Sequence, residues 1–461
     1  MWDAWQGGSV SADVAATSWL PARAWHDRQR QRLASLLQAA AEDSPLYRRI
    51  IGKRDPRYIA LHELPVLQKT ELMSRFDEWV TDPRLRLPAL QRFLEDSQAI
   101  GQPYLGQYHV WESSGSSGEP GVFVQDAQAL AVYDALEALR RPVMQPMRRW
   151  FDPWYASERM AFVGATTGHF ASTVTVRRLC RLNPWMAARL RSFSFLQPLP
   201  ALLAQLEEHA PTVLATYPTV AWALAEQAAA GRLQLSLQEV WTGGEALTPA
   251  MRIAISRGFG CPVAQSYGAS EFLSLASECR CHGLHLNSDW AILESVDDRH
   301  RPVPPGTAGS TTLLTNLANR VQPIIRYELG DRVTLHDACC DCGSVLPLIE
   351  VQGRVDDSIV LDDAQGQAVR LPPLAFTTVL EDEAGVFDFQ LRQQDGRALL
   401  LEIGASGRDG DAQVGRARAA LLRYLDAQGL AGVSVEERCG APGERGRSGK
   451  VQRVVARAAL R

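Results

Sequence analysis

The sequence predicts an α/β protein with a large N-terminal domain built from βαβ units and carrying a small β-subdomain, and a smaller C-terminal α/β domain. Between residues 122 and 257, short apolar runs ending in small or glycine-rich turns alternate with amphipathic stretches of helical length, the pattern of parallel βαβ units. Two further β-rich runs, 290–295 and 309–314, are separated by Pro304-Pro305-Gly306, a combination that enforces a turn. Beyond residue 353 a second set of strands (387–393, 398–403 and 433–438) accompanies one amphipathic helix, 415–428, which is enough for a small domain.

With 461 residues and 46% hydrophobic content the chain can bury a large core, and its length fits two or three domains. Its 48 basic and 52 acidic residues nearly cancel, leaving a formal charge of −4. Such a balance generates no strong field, which argues against nucleic acid or a membrane surface as partner. The opening Met1-Trp2-Asp3-Ala4-Trp5 has neither a basic nor an apolar leader segment, and no long uncharged apolar run occurs, so the expected location is cytoplasmic. Five of the eight cysteines crowd into two clusters, which points to metal rather than disulfides.

Taken in order, 28–46 carries Leu33, Leu36, Leu37 and Ala40 on one face and predicts a single helix ended at Asp43-Ser44-Pro45. The stretches Pro45-Leu46-Tyr47-Arg48 and 63–72 follow, and the charges of Arg48 and Lys69 read as solvated surface. Residues 122–124 form a strand and 127–140 a helix. A buried strand, 160–164, ends in Ala165-Thr166-Thr167-Gly168-His169-Phe170, whose small residues leave room for a ligand, while His169 itself could equally be a hydrogen-bonded core residue. Helix 199–209, strand and turn 211–218, helix 220–230, strand and turn 238–245 and helix 248–257 complete the alternation. Ligands of parallel sheets sit at the carboxyl ends of the strands. Tyr217-Pro218 and Gly243-Gly244-Glu245 lie at such ends, although a tight β–α turn alone would ask for the same glycines.

Two constellations carry chemistry. Ser113, Ser114, Gly115, Ser116, Ser117 and Gly118 are packed into one short turn. Glycines let backbone N–H groups close on an anion and serine hydroxyls add donors, so the turn suits phosphate; a plain flexible loop has the same composition. It is neither a Walker A loop nor a GxGxxG turn, since Glu119 and Pro120 follow Gly118. The second comprises Cys279-Arg280-Cys281-His282-Gly283-Leu284-His285 and Cys339-Cys340-Asp341-Cys342. These hold more thiols and imidazoles than one tetrahedral zinc requires, and a closed structural site fits them better than a catalytic one; unrelated reduced thiols are the competing reading.

Residues 113–120 resemble the SSGTTGKP phosphate loop of adenylate-forming enzymes, Tyr267-Gly268-Ala269-Ser270-Glu271 resembles their YGxTE motif, and Arg326-Tyr327-Glu328-Leu329-Gly330-Asp331 their RYxxGD motif. Further on, Gly353-Arg354-Val355-Asp356-Asp357-Ser358-Ile359 is similar to their GRxDDxI hinge and Gly449-Lys450-Val451-Gln452-Arg453 to their GKxxR stretch. The order of these motifs, over 28–454, is more specific than any one of them, and the branch resembled is the phenylacetate–CoA ligase family. One departure stands out: Glu119 occupies the place where the family usually has lysine, which removes a cation beside the triphosphate.

The resemblance implies roles for individual residues. Ser113 to Gly118 would cradle ATP, Tyr267 would stack on adenine, Ser270 would touch the α-phosphate, and Gly268 would line both nucleotide and acyl sites. Gly243, Gly244, Glu245 and Tyr217 would line the adenine and acyl pocket, with His169 beside the substrate carboxylate. Glu271 would anchor Mg²⁺, Asp331 would bind the ribose hydroxyls, and Arg354 would meet ribose or phosphate. The hinge would divide a large domain, 1–353, from a mobile C-terminal domain, 354–461, that turns about Asp356 and carries the catalytic Lys450. The metal ligands implied are Cys279, His285, Cys340 and Cys342, leaving Cys281, His282 and Cys339 as spares. The implied activity is ATP- and Mg²⁺-dependent conversion of a small carboxylic acid, aryl or arylacetic, to an acyl-adenylate and then to a thioester of coenzyme A, with a structural Zn²⁺. Two alternatives share the fold: an acceptor that is an amine, a hydroxyl or a separate carrier protein, and a binding protein that has lost the chemistry. A homodimer is left open.

Overall fold

The computed structural model describes residues 4–17, 22–113, 120–141, 157–352, 359–404, 407–439 and 453–456. Near the N-terminus an antiparallel ribbon joins β1 (His109–Glu112) to β2 (Val122–Gln125). The main sheet contains β3 (Met160–Gly164), β4 (Leu190–Ser194), β5 (Val213–Thr216), β6 (Glu239–Thr242), β7 (Val263–Ala269), β8 (Phe272–Glu278) and β9 (Leu284–Leu286). It is completed by β13 (Arg332–His336) and β14 (Leu348–Gln352) and runs as nine strands in the order β13-β14-β9-β8-β7-β6-β5-β3-β4.

Strands β3 to β7 are mutually parallel where they pair, as the strand–helix alternation predicts. From β7 onward the pairing turns antiparallel through β8, β9, β14 and β13. The switch occurs because β7 and β8 are joined by a tight turn, whereas parallel neighbours need a crossover helix. A separate three-stranded sheet holds β10 (Ala291–Val296), β11 (Thr311–Asn316) and β12 (Tyr327–Glu328).

The crossover helices begin and end where local chemistry asks. The helix Ala127–Arg140 is capped by Asp126, whose carboxylate accepts from the Ala129 N–H. Thr248 caps Pro249–Phe259 in the same way, and Gly260 closes that helix in the left-handed conformation. The single helix expected over 28–46 is two, Ala22–Asp43 and Pro45–Ile51. Ser44 accounts for the difference: its hydroxyl accepts from the Tyr47 N–H and Pro45 occupies the first turn, so the same residues that stop one helix start the next.

The C-terminal segment forms a ribbon, β15 (Ile359–Asp362) with β16 (Ala368–Leu371), and a four-stranded sheet in the order β19-β18-β17-β20. Its members are β17 (Phe389–Gln393), β18 (Ala398–Ile403), β19 (Ser434–Cys439) and β20 (Val454–Val455), covered by the helix Gly407–Ala427. Among the described residues no helix is long and apolar enough to cross a membrane.

Candidate active site and metal centre

The parallel strands align their carboxyl ends. In the register Val163, Thr216, Thr242 and Gln265 are neighbours on successive strands, so the turns that follow β3, β5, β6 and β7 form one row. This row brings together Tyr217, Gly243, Gly244 and the Tyr267-Gly268 segment. Gly244 has φ +78°, and a Cβ there would come 2.9 Å from the Tyr217 ring, so glycine is needed for both conformation and approach. Burial pushes the Tyr217 phenol up to about 12, keeping it neutral. Glu245 stays in the row beside Tyr217: its Oε2 accepts from the Thr219 N–H at 3.1 Å and hydroxyl at 2.8 Å, at the start of the helix Pro218–Ala229.

Gly268 is fixed by packing. A Cβ on it would lie 1.9 Å from the Leu273 carbonyl oxygen across the β7–β8 hairpin. Beside it the Tyr267 hydroxyl donates to Asp331 Oδ2 at 3.0 Å. The residue proposed to stack on adenine and the one proposed to bind ribose therefore touch, although 64 residues apart in sequence.

Glu271, in the turn between β7 and β8, is 8% exposed. Burial raises its pKa, opposed by the Tyr327 hydroxyl that faces it and by the charge of Lys69. The backbone of this turn is held from below: the Trp111 indole N–H donates to the Ser270 carbonyl, and the Asn316 amide donates to the Glu271 carbonyl, both at 2.8 Å. Asn316 also reaches the Tyr133 hydroxyl, and Asn319 and Gln322 bond the backbone of β2, so the turn and the ribbon share one buried polar network.

Ser113 forms the neck of the serine–glycine turn. Its N–H donates to the Gly121 carbonyl at 2.9 Å, and its hydroxyl accepts from the Gly121 N–H at 3.0 Å. Ser114, Gly115, Ser116, Ser117 and Gly118 lie outside the described residues, as do Arg354, Asp356 and Lys450. His169 is buried beside Phe93, with Nε2 bonded to the Asp96 carbonyl at 3.0 Å, and burial lowers its pKa. Its own carbonyl accepts from the Glu112 N–H at 2.9 Å, so the loop after β3 is seated against the strand that leads into the turn.

The metal-ligand candidates gather at the far edge of the main sheet. Ligand atoms of Cys279, His285, Cys340 and Cys342 all lie within 4.8 Å of one another. Cys279 Sγ and Cys340 Sγ are 3.6 Å apart, close to the edge of about 3.8 Å that zinc–sulfur bonds of roughly 2.3 Å give in a tetrahedron. Cys342 Sγ is 3.2 Å from His285 Nε2, and His285 Nδ1 donates to the Leu346 carbonyl at 2.8 Å, which aims Nε2 into the cluster. The donor set and spacing thus fit a zinc ion. The spares are placed otherwise: Cys281 and Cys339 are exposed, although the Cys281 thiol still borders Cys340, and the His282 ring is bonded to Glu278 at 2.7 Å. Glu278, buried, also pairs with Arg252 and accepts from the Gln265 N–H, linking the metal loop to β7.

Sequence reasoning missed Trp111 and Asn316 and gave no role at the site to Tyr327, which lies in the RYxxGD stretch, or to Lys69, read as surface; each acts on a partner more than 40 residues away, which no local spacing reveals.

The comparisons agree with this geometry. Residues 114–313 match the model of the AMP-binding enzyme family. Over 95% of its length the chain is 25% identical to the phenylacetate-coenzyme A ligase of Thermus thermophilus, covering 97% of that protein. It is 26% identical over 137 residues to the protein CapK of Staphylococcus aureus, 29% of each chain. A solved 2-hydroxyisobutyryl-CoA ligase, in complex with its acyl-AMP and CoA in the thioesterification state, has the same fold, with a TM-score of 0.57, 22% identity and coverage of 95% of this chain and 90% of that one. The same ligase in the postadenylation state superposes with a TM-score of 0.55 at 20% identity, over 94% and 89% of the two chains. Residues 114–313 thus carry an AMP-binding enzyme domain, and the chain is similar along nearly its whole length to phenylacetate-coenzyme A ligase and in fold to acyl-CoA ligases of the adenylate-forming superfamily.

Proposed function

We propose that this chain is an AMP-forming acid–thiol ligase: it activates a carboxylic acid, aryl or arylacetic, with ATP and passes the acyl group to coenzyme A. The observation that carries the reading is the Tyr267–Asp331 contact near buried Glu271, whose turn is bonded through Ser270 to Trp111 on the strand that leads into the serine–glycine turn. One face of this row takes a nucleoside and the other an anion.

In the first step a carboxylate oxygen attacks the α-phosphorus, the bond to the β-phosphate oxygen breaks, and pyrophosphate leaves. In the second, the thiol sulfur bonds to the acyl carbon, its proton is released, and AMP departs with the bonding electron pair. Bringing a carboxylate to a triphosphate gathers negative charge, so the protein's task is orientation and neutralisation. Tyr267 and Asp331 fix the nucleoside, and the turn opened by Ser113 cradles the phosphates. Glu271 would hold Mg²⁺, which supplies positive charge at the phosphates. Tyr217 and Gly244 border the acyl side, where a neutral buried phenol suits an uncharged ring. Lys450 would complete the first step from the C-terminal domain, 354–461, and rotation about Asp356 would withdraw it for the second. The quartet of Cys279, His285, Cys340 and Cys342 would hold a structural Zn²⁺, with no open position for chemistry.

Exchange of labelled pyrophosphate into ATP, across a panel of carboxylic acids, tests the reading, with acyl-CoA product measured for any active acid. Exchange with an arylacetic acid and a CoA thioester as product is the expected result. Exchange without thioester would mean a different acceptor, and no exchange with any acid would retire the enzyme reading.

A further inference from the structure

The turn that would cradle a triphosphate brings no cation of its own, since its charged residue is Glu119. The segment 64–69 supplies one from elsewhere in the chain. Leu67 runs parallel to β12 and is strapped to it on both sides: its N–H donates to the Arg326 carbonyl at 3.1 Å and its carbonyl accepts from the Glu328 N–H at 3.0 Å. Gln68 adds a bond to Glu328 at 2.9 Å. Arg326, buried and paired with Glu294, holds the Leu64 carbonyl at 2.6 Å. The backbone is thereby fixed up to Lys69, the first residue of the helix Lys69–Ser74.

From that position the Lys69 side chain runs along Gly121. A Cβ on Gly121 would lie 3.1 Å from Lys69 Cδ and 3.1 Å from Ser113 Oγ, so the aliphatic stem passes through the neck of the turn. Its ammonium is close enough to Glu271 to lower that carboxyl's pKa against the effect of burial. A half-buried lysine whose stem lies against Gly121 and Ser113 and whose charge acts on a candidate metal-binding carboxylate is placed to meet an anion, contrary to the solvated charge its sequence context predicts.

We propose that Lys69 is a phosphate-binding residue of this enzyme, contacting the β- and γ-phosphates of ATP, the pyrophosphate that leaves, and supplying the positive charge that Glu119 does not. The proposal rests on the ligase reading above. Its consequence is selective: Lys69 matters for a nucleotide that carries the pyrophosphate end and not for AMP.

Binding of Mg·ATP and of AMP, each measured by calorimetry on the intact chain without acid, tests this in wild type, Lys69→Met and Lys69→Arg. Methionine keeps the stem and removes the charge. We expect Mg·ATP to bind 10- to 100-fold more weakly to Lys69→Met, AMP to bind within two-fold of wild type, and Lys69→Arg to recover most of the loss. Equal Mg·ATP affinity in Lys69→Met overturns the proposal, as does an equal loss of AMP binding in both variants, which would make Lys69 a packing residue. Failure of wild type to bind Mg·ATP would instead overturn the ligase reading.

Discussion

Cys342→Ala is the most direct probe of the metal centre. It removes one donor of four and leaves the backbone N–H and the loop intact. Structural zinc sites are worth roughly 10–16 kcal/mol, so one ligand's share is about 3–4 kcal/mol, or roughly 10²- to 10³-fold in affinity. The structure says where that loss is felt. β9 is three residues long and pairs with β14 at only two positions, His285 with Leu348 and Leu284 with Ile349. Backbone pairing there is thin, and a bound metal would tie the loop after β8 to the loop between β13 and β14. Asp331 immediately precedes β13, so loosening this edge would also loosen the proposed ribose-binding residue. The assay is zinc content by elemental analysis before and after dialysis against a chelator, with hydrogen exchange on the same samples. Wild type is expected to retain about one zinc per chain. The variant should lose it and show faster exchange at 284–286 and 348–352. Wild type without zinc after growth in zinc-replete medium, or a variant that keeps its zinc under the same chelator, refutes the reasoning.

Three other outcomes are expected. Glu271→Gln keeps the shape of the side chain and removes its charge, so the magnesium requirement of pyrophosphate exchange should rise and kcat/KM fall by roughly 10²- to 10³-fold with an unchanged melting temperature; an unaltered magnesium profile would exclude metal anchoring. His109, driven down to about 4 by burial and by Arg178 and Arg181, stays neutral in the fold while the unfolded chain protonates near 6.5. Its contribution is therefore present above about pH 6.5 and lost as pH falls toward 4, a span of about 3 kcal/mol, and His109→Gln should flatten the acid limb of stability in urea titrations; identical pH slopes would refute this. Lys450→Ala should lower adenylate formation by several orders of magnitude, in line with the roughly 3–4 kcal/mol of a lost electrostatic donor plus misorientation, while synthetic acyl-adenylate with coenzyme A reacts within a few-fold of wild type; equal losses in both half-reactions would mean a structural role.

Much of the fold is legible in the residues alone. The helices Ala127–Arg140 and Leu199–His209 and the strands Met160–Gly164 and Ala398–Ile403 match the expected bounds, because apolar spacing fixes which face each segment must bury. The glycines at Gly243, Gly244 and Gly268 mark strand ends in sequence, and the two cysteine clusters mark a candidate metal site. Contacts between distant segments are a different matter. That Asp331 meets Tyr267, that Trp111 and Asn316 hold the Glu271 turn, and that Leu67 lies against Tyr327 and so delivers Lys69 to Gly121 follow from how β1, β7, β11 and β12 are stacked. The choice among the cysteines is of the same kind. Cys279 and Cys281 are equivalent by spacing, and it is the pairing of β9 with β14 that turns Cys279 toward Cys340 and leaves Cys281 in solvent. A residue's periodicity encodes its burial, but its partner across the fold is set by the packing of whole strands, which no local pattern contains.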